Sequence, residues 1–418
     1  MNQNIKQKSD YCLNCKMKPC SNKGCPLNND IPGFIEQIKN ENYEEAYRIL
    51  SNTTVLPAVC GKICPHQKQC QGSCIRGIKG EPVSIGDLES FIGDYSIENN
   101  LQIERNNNKG IDKKVAVIGG GPAGLTCSAF LAKHGIKVTI FEKYNYLGGL
   151  LVHGIPEFRL SKKVVKDSIQ KILDLGVKVK YNQQLGNNLK LEDLLKEYDY
   201  IFLAIGANVS SKMGIEGENL AGVYGGNELL EYKNHPDYNG KVVLVNGGGN
   251  VAMDTARTIK RLGAKEVKVV YRRAKEQMPA EEKEINDAIN EGIEFLFQNN
   301  IVKIIGNEKV EKVELIKTEL VQKEGESRLS PIDIQGSNYE IDADYVIMAL
   351  GSRIDNLVKE LNLNLTTRNY VEIDENYKTS NHKIFAGGDL VGGRGSVAKA
   401  ARDGRNVAEQ ILKQIYNG

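Results

Sequence analysis

Two stretches of this 418-residue chain restrict what it can fold into: GGGPAG at 119–124 and NGGGNVAMD at 246–254, each directly after a short apolar run. Val115–Ile118 and Val242–Val245 read as buried parallel strands, and a helical pattern follows each glycine cluster. Gly119, Gly121 and Gly124 occupy the G-x-G-x-x-G positions, with Pro122 and Ala123 between the last two. Gly247, Gly249 and Ala252 occupy G-x-G-x-x-A, with Gly248 inside the turn. The first glycine permits the tight turn, the second lets backbone approach a pyrophosphate, and the third lets helix and strand pack closely. Free N–H groups at the helix start then favour the phosphates.

What closes the second strand of each unit separates the two sites. After the first turn the helix runs to about His134, and Val138–Phe141 ends in Glu142, 23 residues beyond Gly119. A carboxylate there accepts hydrogen bonds from an unphosphorylated adenosine ribose, which fits FAD or NAD and disfavours NADP. After the second turn, Val267–Tyr271 ends in Arg272 and Arg273. Two guanidiniums suit a phosphate on the ribose, so this turn reads as an NADPH site. Cys127, on the first helix, reads as a small packing residue.

The same grammar returns toward the C-terminus. Asp344–Gly351 (DYVIMALG) resembles Asp199–Gly206 (DYIFLAIG), and both read as strands crossing back to the first domain. Ile384–Asp389 (IFAGGD) reads as a strand ending at Gly388 and Asp389, with Asp389 toward the ribityl or phosphate part of FAD. Ala398, Ala400 and Ala401 are expected on the inner face of the helix that follows.

Eight of the nine cysteines fall between Cys12 and Cys74. No apolar run approaches 18 residues and the first ten residues are polar, so neither a membrane span nor a signal peptide is expected. The chain reads as cytoplasmic, where crowded thiols point to metal rather than disulfides. The net charge of +2 gives no global pull toward nucleic acid or membrane. Cys12, Cys15, Cys20 and Cys25 are spaced C-x2-C-x4-C-x4-C-P, and Cys60, Cys64, Cys70 and Cys74 C-x3-C-x5-C-x3-C. The terminal C-P and the uneven spacing favour iron–sulphur ligation over zinc. Between the cysteines, Asp30 and Pro32 mark a helix start with Phe34, Ile35 and Ile38 on one face. Residues 96–112, with Asn106, Asn107, Asn108 and Gly110, read as a linker.

These features together resemble the family of the NADPH-dependent glutamate synthase small (beta) subunit, which includes the large subunit of NADH-dependent ferredoxin–NADP oxidoreductase and the N-terminal half of dihydropyrimidine dehydrogenase. The matching stretches are CLNCKMKPC, LPAVCGKICPHQKQCQGSC, GGGPAGL, EKYNYLGGLLVHGIPEFRL (opening on Glu142 and Lys143), YRR…MPAEEKE and AGGD. The resemblance implies an α/β protein with two Rossmann-like dinucleotide-binding domains, for FAD and NADPH, preceded by an α-helical iron–sulphur domain. Its expected boundaries are 1–108 for the helical domain, 109–238 with 340–418 for a split FAD domain, and 239–339 for the NADPH domain. It implies two [4Fe–4S] clusters, one on Cys12, Cys15, Cys20 and Cys74, the other on Cys25, Cys64 and Cys70 with Glu89 as an oxygen ligand, which leaves Cys60 outside. It also places Gly149, Leu150 and Arg159 near FAD, and Asn250, Val251, Arg272, Arg273 and Ala349, Leu350 and Gly351 near NADPH. The chain departs from the commoner family pattern by one extra residue between Cys20 and Cys25.

The expected chemistry is electron transfer from NADPH through FAD to iron–sulphur clusters and on to a second redox subunit, either a glutamate synthase large subunit or a ferredoxin-type partner. No catalytic side chain is assigned, because the cofactors carry the chemistry. An electron-bifurcating or ferredoxin-linked reductase subunit and a pyrimidine reductase subunit are the competing enzyme readings. A zinc scaffold is the non-enzymatic one. A thioredoxin-type reductase is set aside because residues 239–339 contain no cysteine.

Overall fold

A computed structural model describes residues 3–106, 111–323, 328–392 and 395–417. The described residues form two compact units, one from Met1–Val152, Glu157–Ala207 and Asn356–Gly418, the other from His153–Pro156 and Asn208–Asp355.

The first unit opens with short helices. Asp30 caps the helix Ile31–Lys39, its carboxylate accepting the Gly33 N–H at 3.2 Å. Phe34, Ile35 and Ile38 are fully buried on the face that the spacing predicts. They pack with Tyr47, Leu50, Leu88 and Ile92 from helices Tyr43–Ser51 and Ile85–Glu98. Ile85–Glu98 runs into the expected linker and buries Ser96, so helical packing takes the first residues of that segment. Asn107, Asn108 and Gly110 lie outside the described residues.

A five-stranded parallel sheet follows, in spatial order Ile384–Ala386, Tyr200–Leu203, Lys114–Ile118, Lys137–Phe141, Lys178–Lys180. Its central strands bury every residue but the first, as parallel strands covered on both faces do. The helix Pro122–Lys133 is buried along most of its length, and Cys127 lies within it, fully enclosed. The C-terminal helix Val397–Asn417 packs against it at Gly404, where an added methyl would lie 2.1 Å from Ala123 O, and it buries Ala398 and Ala401. Ala400 is half-buried, because it sits one position round the helix from Ala401.

Three cations from the sheet-bearing part of this unit donate to backbone carbonyls of the cysteine-bearing part. Lys133 reaches Ser51 O at 3.2 Å, Lys171 reaches Ser96 O at 2.7 Å and Leu101 O, and Arg405 reaches Leu27 O at 2.7 Å and Thr53 O at 3.3 Å. Removing the Arg405 guanidinium strands two carbonyls where water has little access. Arg405→Leu is therefore expected to cost about 1–3 kcal/mol and to lower the thermal midpoint by roughly 1–5 °C. A calorimetric scan that finds the midpoint unmoved would show that those carbonyls keep other donors.

The second unit carries a parallel sheet of the same kind, in the order Val223–Gly225, Tyr345–Met348, Val242–Asn246, Glu266–Tyr271, Glu294–Phe297. An antiparallel sheet is added by Asn299–Ile305, Lys312–Val321, Ser330–Asp333 and Tyr339–Asp342. This unit is wider than the 239–339 segment marked from sequence. Tyr345–Met348, read there as a crossing to the first domain, is instead a strand of the second sheet, beside the glycine-turn strand. It pairs on both sides and is buried at Val346, Ile347 and Met348. An apolar run of four cannot announce which of two sheets will cover it.

Candidate functional site

The two glycine turns are built alike, and the returning strands explain why. In the first unit Gly119 has φ +103°, and a methyl group added there would lie 2.5 Å from Ala204 O, just beyond Tyr200–Leu203. In the second, Gly247 has φ +147°, and the added methyl would lie 2.2 Å from Ala349 O, just beyond Tyr345–Met348. Each returning strand also starts with the same clamp. Asp199 accepts from Lys113 Nζ at 2.9 Å and Lys114 N at 2.8 Å. Asp344 accepts from Lys241 Nζ at 3.0 Å and Val242 N at 2.9 Å. The likeness between DYIFLAIG and DYVIMALG is thus a repeated structural part.

Around the first turn, Gly124 backs onto Gly119: its added methyl would fall 2.0 Å from Gly119 O, the close helix–strand approach that the third glycine permits. Gly121, which caps the helix starting at Pro122, has open space where a side chain would be. Gly149, with φ +52°, would bring its methyl 3.1 Å from Gly121 Cα, and Gly148 N donates to Gly120 O at 2.8 Å. The 147–150 segment therefore folds over the turn, where the short helix Leu150–His153 starts. The Glu142 carboxylate accepts Gly120 N at 2.7 Å and Tyr144 N at 3.0 Å, so it sits at the mouth of the turn. Lys143 is exposed and lies 4.6 Å from the Tyr144 ring centroid. Gly388 stands opposite the helix start, where a methyl would meet Ala123 Cβ at 3.3 Å. Asp389 accepts Gly395 N at 3.0 Å. Arg159 is half-buried in the loop ahead of helix Lys162–Leu173.

Sequence reasoning missed Asp403. It is fully buried on the C-terminal helix, accepts Gly388 N at 3.1 Å and Tyr377 Oη at 3.2 Å, and pairs with Arg402 at 3.3 Å. The signal was available: an acid on the small-residue face of a helix has to meet a donor.

Around the second turn, Gly249 caps the helix Asn250–Arg261, and Val251 follows in its first turn. The MPAEEKE segment covers the turn. Ala280 N donates to Gly248 O at 3.1 Å, and Glu281 N donates to Asn250 Oδ1 at 3.1 Å. Buried Arg257 holds that segment down, pairing with Glu284 and with Glu291 at 2.8 Å. Arg272 is exposed at the strand end, whereas Arg273 Nε donates to Leu329 O at 3.0 Å. A third arginine, unforeseen from sequence, joins them: Arg328 donates to Tyr271 Oη at 2.9 Å. Ala349 is buried, Leu350 is exposed, and Gly351 takes φ +109° with open space around it.

The thiols gather in two groups. Cys12, Cys15, Cys20 and Cys74 line one cavity, walled by apolar side chains including Ile35 and Val83. Cys25, Cys60, Cys64 and Cys70 interact electrostatically with one another or with Glu89. All are free thiols. Burial pushes Cys20 up to about 11 and Cys25 up to about 12, and raises Cys70 further; a hydrogen bond with Cys60 leads the rise at Cys64. Burial lifts Glu89 to about 8, against the Asn29 amide that donates to it at 3.2 Å. Thiols enclosed this way favour the neutral form unless a cation replaces the lost water. Among the described residues no three Cys, His, Asp or Glu side chains close on one point tightly enough for a single metal ion. No described helix is long and apolar enough to cross a membrane.

Paired parallel sheets with glycine turns at equivalent places define a flavin- and pyridine-nucleotide-dependent oxidoreductase fold. Residues 113–404 match the pyridine nucleotide-disulphide oxidoreductases, and residues 1–101 match dihydropyrimidine dehydrogenase domain II, 4Fe-4S cluster. The chain belongs to the pyridine nucleotide-disulphide oxidoreductase family, and its relatives include glutamate synthase [NADPH] small chains. It is 36% identical to the glutamate synthase [NADPH] small chain of Escherichia coli K12, over 98% of this chain and 91% of that one. It is 34% identical to the NADP(+)-dependent formate dehydrogenase subunit beta of Moorella thermoacetica, over 96% of this chain and 60% of that one. The fold is also that of FprA from Mycobacterium tuberculosis, solved with NADPH, with TM-score 0.66 and 20% identity over 73% of this chain and 85% of that one. The protein is thus an NADPH-dependent oxidoreductase that binds FAD and carries a 4Fe-4S domain.

Proposed function

We propose that this chain is the electron-input subunit of a two-part enzyme, oxidising NADPH and passing single electrons to a glutamate synthase large subunit. The observation that carries the reading is the pair of equivalent glycine turns with opposite closures, Glu142 at one and Arg272 with Arg273 at the other. The FAD pyrophosphate belongs at the Gly119–Gly124 turn, with Glu142 and Asp389 as hydrogen-bond acceptors and Gly149, Leu150 and Arg159 about it. The NADPH pyrophosphate belongs at Gly247–Val251, with the arginines toward the ribose phosphate. Cys12, Cys15, Cys20 and Cys74 would hold one [4Fe–4S] cluster, and Cys25, Cys64, Cys70 and Glu89 a second. Each thiolate takes its own iron, so such ligands stand further apart than those of a single ion. Bound flavin supplies the exchange of a hydride for single electrons, and bound clusters supply one-electron carriage.

The protein's own work is placement and charge. The glycine turns hold anions on backbone N–H groups, and Asp403 fixes the Gly388 turn against the Ala123 helix start. Anaerobic purification followed by iron and sulphide assay, with NADPH bleaching of the flavin, tests the reading. A protein that folds with zinc and without iron would remove the clusters from it.

The Moorella relative favours a second reading, in which the partner is another redox subunit altogether. Adding a glutamate synthase large subunit with glutamine and 2-oxoglutarate separates the two. For the nucleotide preference, Arg272→Ala is expected to raise the KM for NADPH by about tenfold, the loss of one charged hydrogen bond. The KM for NADH should hardly move. Equal changes with both nucleotides would detach Arg272 from the ribose phosphate.

A further inference from the structure

We propose that Arg405 and Asn29 set the reduction potential of the cluster on the second thiol group, the first as a buried positive charge and the second as a hydrogen-bond donor to a ligand. This rests on the reading of Cys25, Cys64, Cys70 and Glu89 as the ligands there, and adds which residues govern how readily that cluster takes an electron. Two hydrogen-bonded routes run from Arg405 to two members of the ligand set. Along one, the guanidinium donates to Leu27 O at 2.7 Å, and the Leu27 and Asn29 N–H groups are aimed at the Cys25 sulphur. Along the other, it donates to Thr53 O at 3.3 Å, Thr53 Oγ1 donates to Asn29 Oδ1 at 2.7 Å, and Asn29 Nδ2 donates to Glu89 Oε1 at 3.2 Å. Asn29 serves both ligands, Cys25 with its backbone and Glu89 with its side chain. It is 2% exposed and Glu89 5%, so water has little access to replace the bond between them.

Charge adds to this geometry. The Arg405 side chain is 11% exposed, and a guanidinium stays ionised even there. Cys25 is among its electrostatic neighbours. Among the described residues its one ion pair is with Glu409, which stands 3.6 Å from Nε and is 53% exposed, so solvent screens that carboxylate. Arg402, a second cation, and Tyr377, a neutral phenol, are its other titratable neighbours. An electron added to a cluster adds one negative charge. A buried cation and a donor on a ligand oxygen both stabilise that charge, so both raise the potential. The first thiol group has a cation of its own, Lys39, which donates to Cys12 O at 3.0 Å. The influence of Arg405 is therefore local to the second group.

The test uses the full chain, purified anaerobically and titrated with dithionite in the presence of redox mediators, with the clusters followed by electron paramagnetic resonance. The signal missing from Cys64→Ala belongs to the second cluster. In Arg405→Gln that cluster is expected to be about tenfold harder to reduce, a midpoint lower by about 59 mV for one electron. Arg405→Lys keeps the charge and should hold the native midpoint. Asn29→Ala strips the donor from Glu89 and should lower the same midpoint. The first cluster should keep its midpoint in all three. A role confined to holding the two carbonyls would lower the thermal midpoint of Arg405→Gln and leave the potential alone, which overturns the proposal. So does an equal fall at both clusters, and so does an Arg405→Lys midpoint as low as that of Arg405→Gln. If Arg405→Gln loses its iron, Asn29→Ala decides, and an unmoved midpoint there sinks the assignment. A native protein with only about four irons would instead remove the second cluster from the proposed function.

Discussion

NADPH is expected to bleach the flavin of a Gly247→Ala variant about a hundredfold more slowly than that of the native protein, with the flavin still bound. The added methyl would lie 2.2 Å from Ala349 O, a backbone atom, at a φ of +147° that alanine rarely adopts. The turn must open, so the N–H groups that face the pyrophosphate lose their aim. Strain of this kind costs of order 1–3 kcal/mol, and about 3 kcal/mol is roughly a hundredfold in binding. The flavin turn belongs to the other compact unit, so its occupancy should be spared. The reciprocal change, Gly119→Ala, puts a methyl 2.5 Å from Ala204 O and should cost the flavin itself, seen as loss of its visible absorbance. If both variants lost the same nucleotide, the assignment of two separate sites would fail.

Iron content should separate the cysteines. With two [4Fe–4S] clusters the native protein carries about eight irons per chain. Cys64→Ala is expected to leave about four, whereas Cys60→Ala should keep about eight. The two thiols are neighbours, yet they sit differently. Cys60 is fully buried in the helix Pro57–Ile63, 3.9 Å from Thr54 Oγ1, while Cys64 ends that helix and has Glu89 and Cys25 among its electrostatic neighbours. Glu89→Ala tests the carboxylate in the same assay. Loss of iron in Cys60→Ala with none in Glu89→Ala would exchange their roles.

How much of this was legible beforehand follows from the range of each interaction. Both glycine turns, their strands and the Asp30 cap are local: a glycine for positive φ, an apolar run of four, an acid three residues before an N–H. Glu142 was legible for the same reason, since it ends the strand beside its turn. Asp403 was not, because Gly388, which it holds, lies 15 residues away and meets it only after the C-terminal helix packs. Arg328 was not, because it reaches Tyr271 across 57 residues of chain.

By itself, the sequence determined that two dinucleotide-type turns exist, that opposite charges close them and that thiols crowd one end. Those facts rest on neighbours along the chain. Only the tertiary structure decided that Tyr345–Met348 joins the second sheet, that Asp199 and Asp344 clamp equivalent strands, and that Asp403 meets Gly388. Parallel strands pair across long loops, and a buried acid meets its donor only once helices pack. Both outcomes depend on which apolar faces are buried together, and residue spacing alone does not encode that.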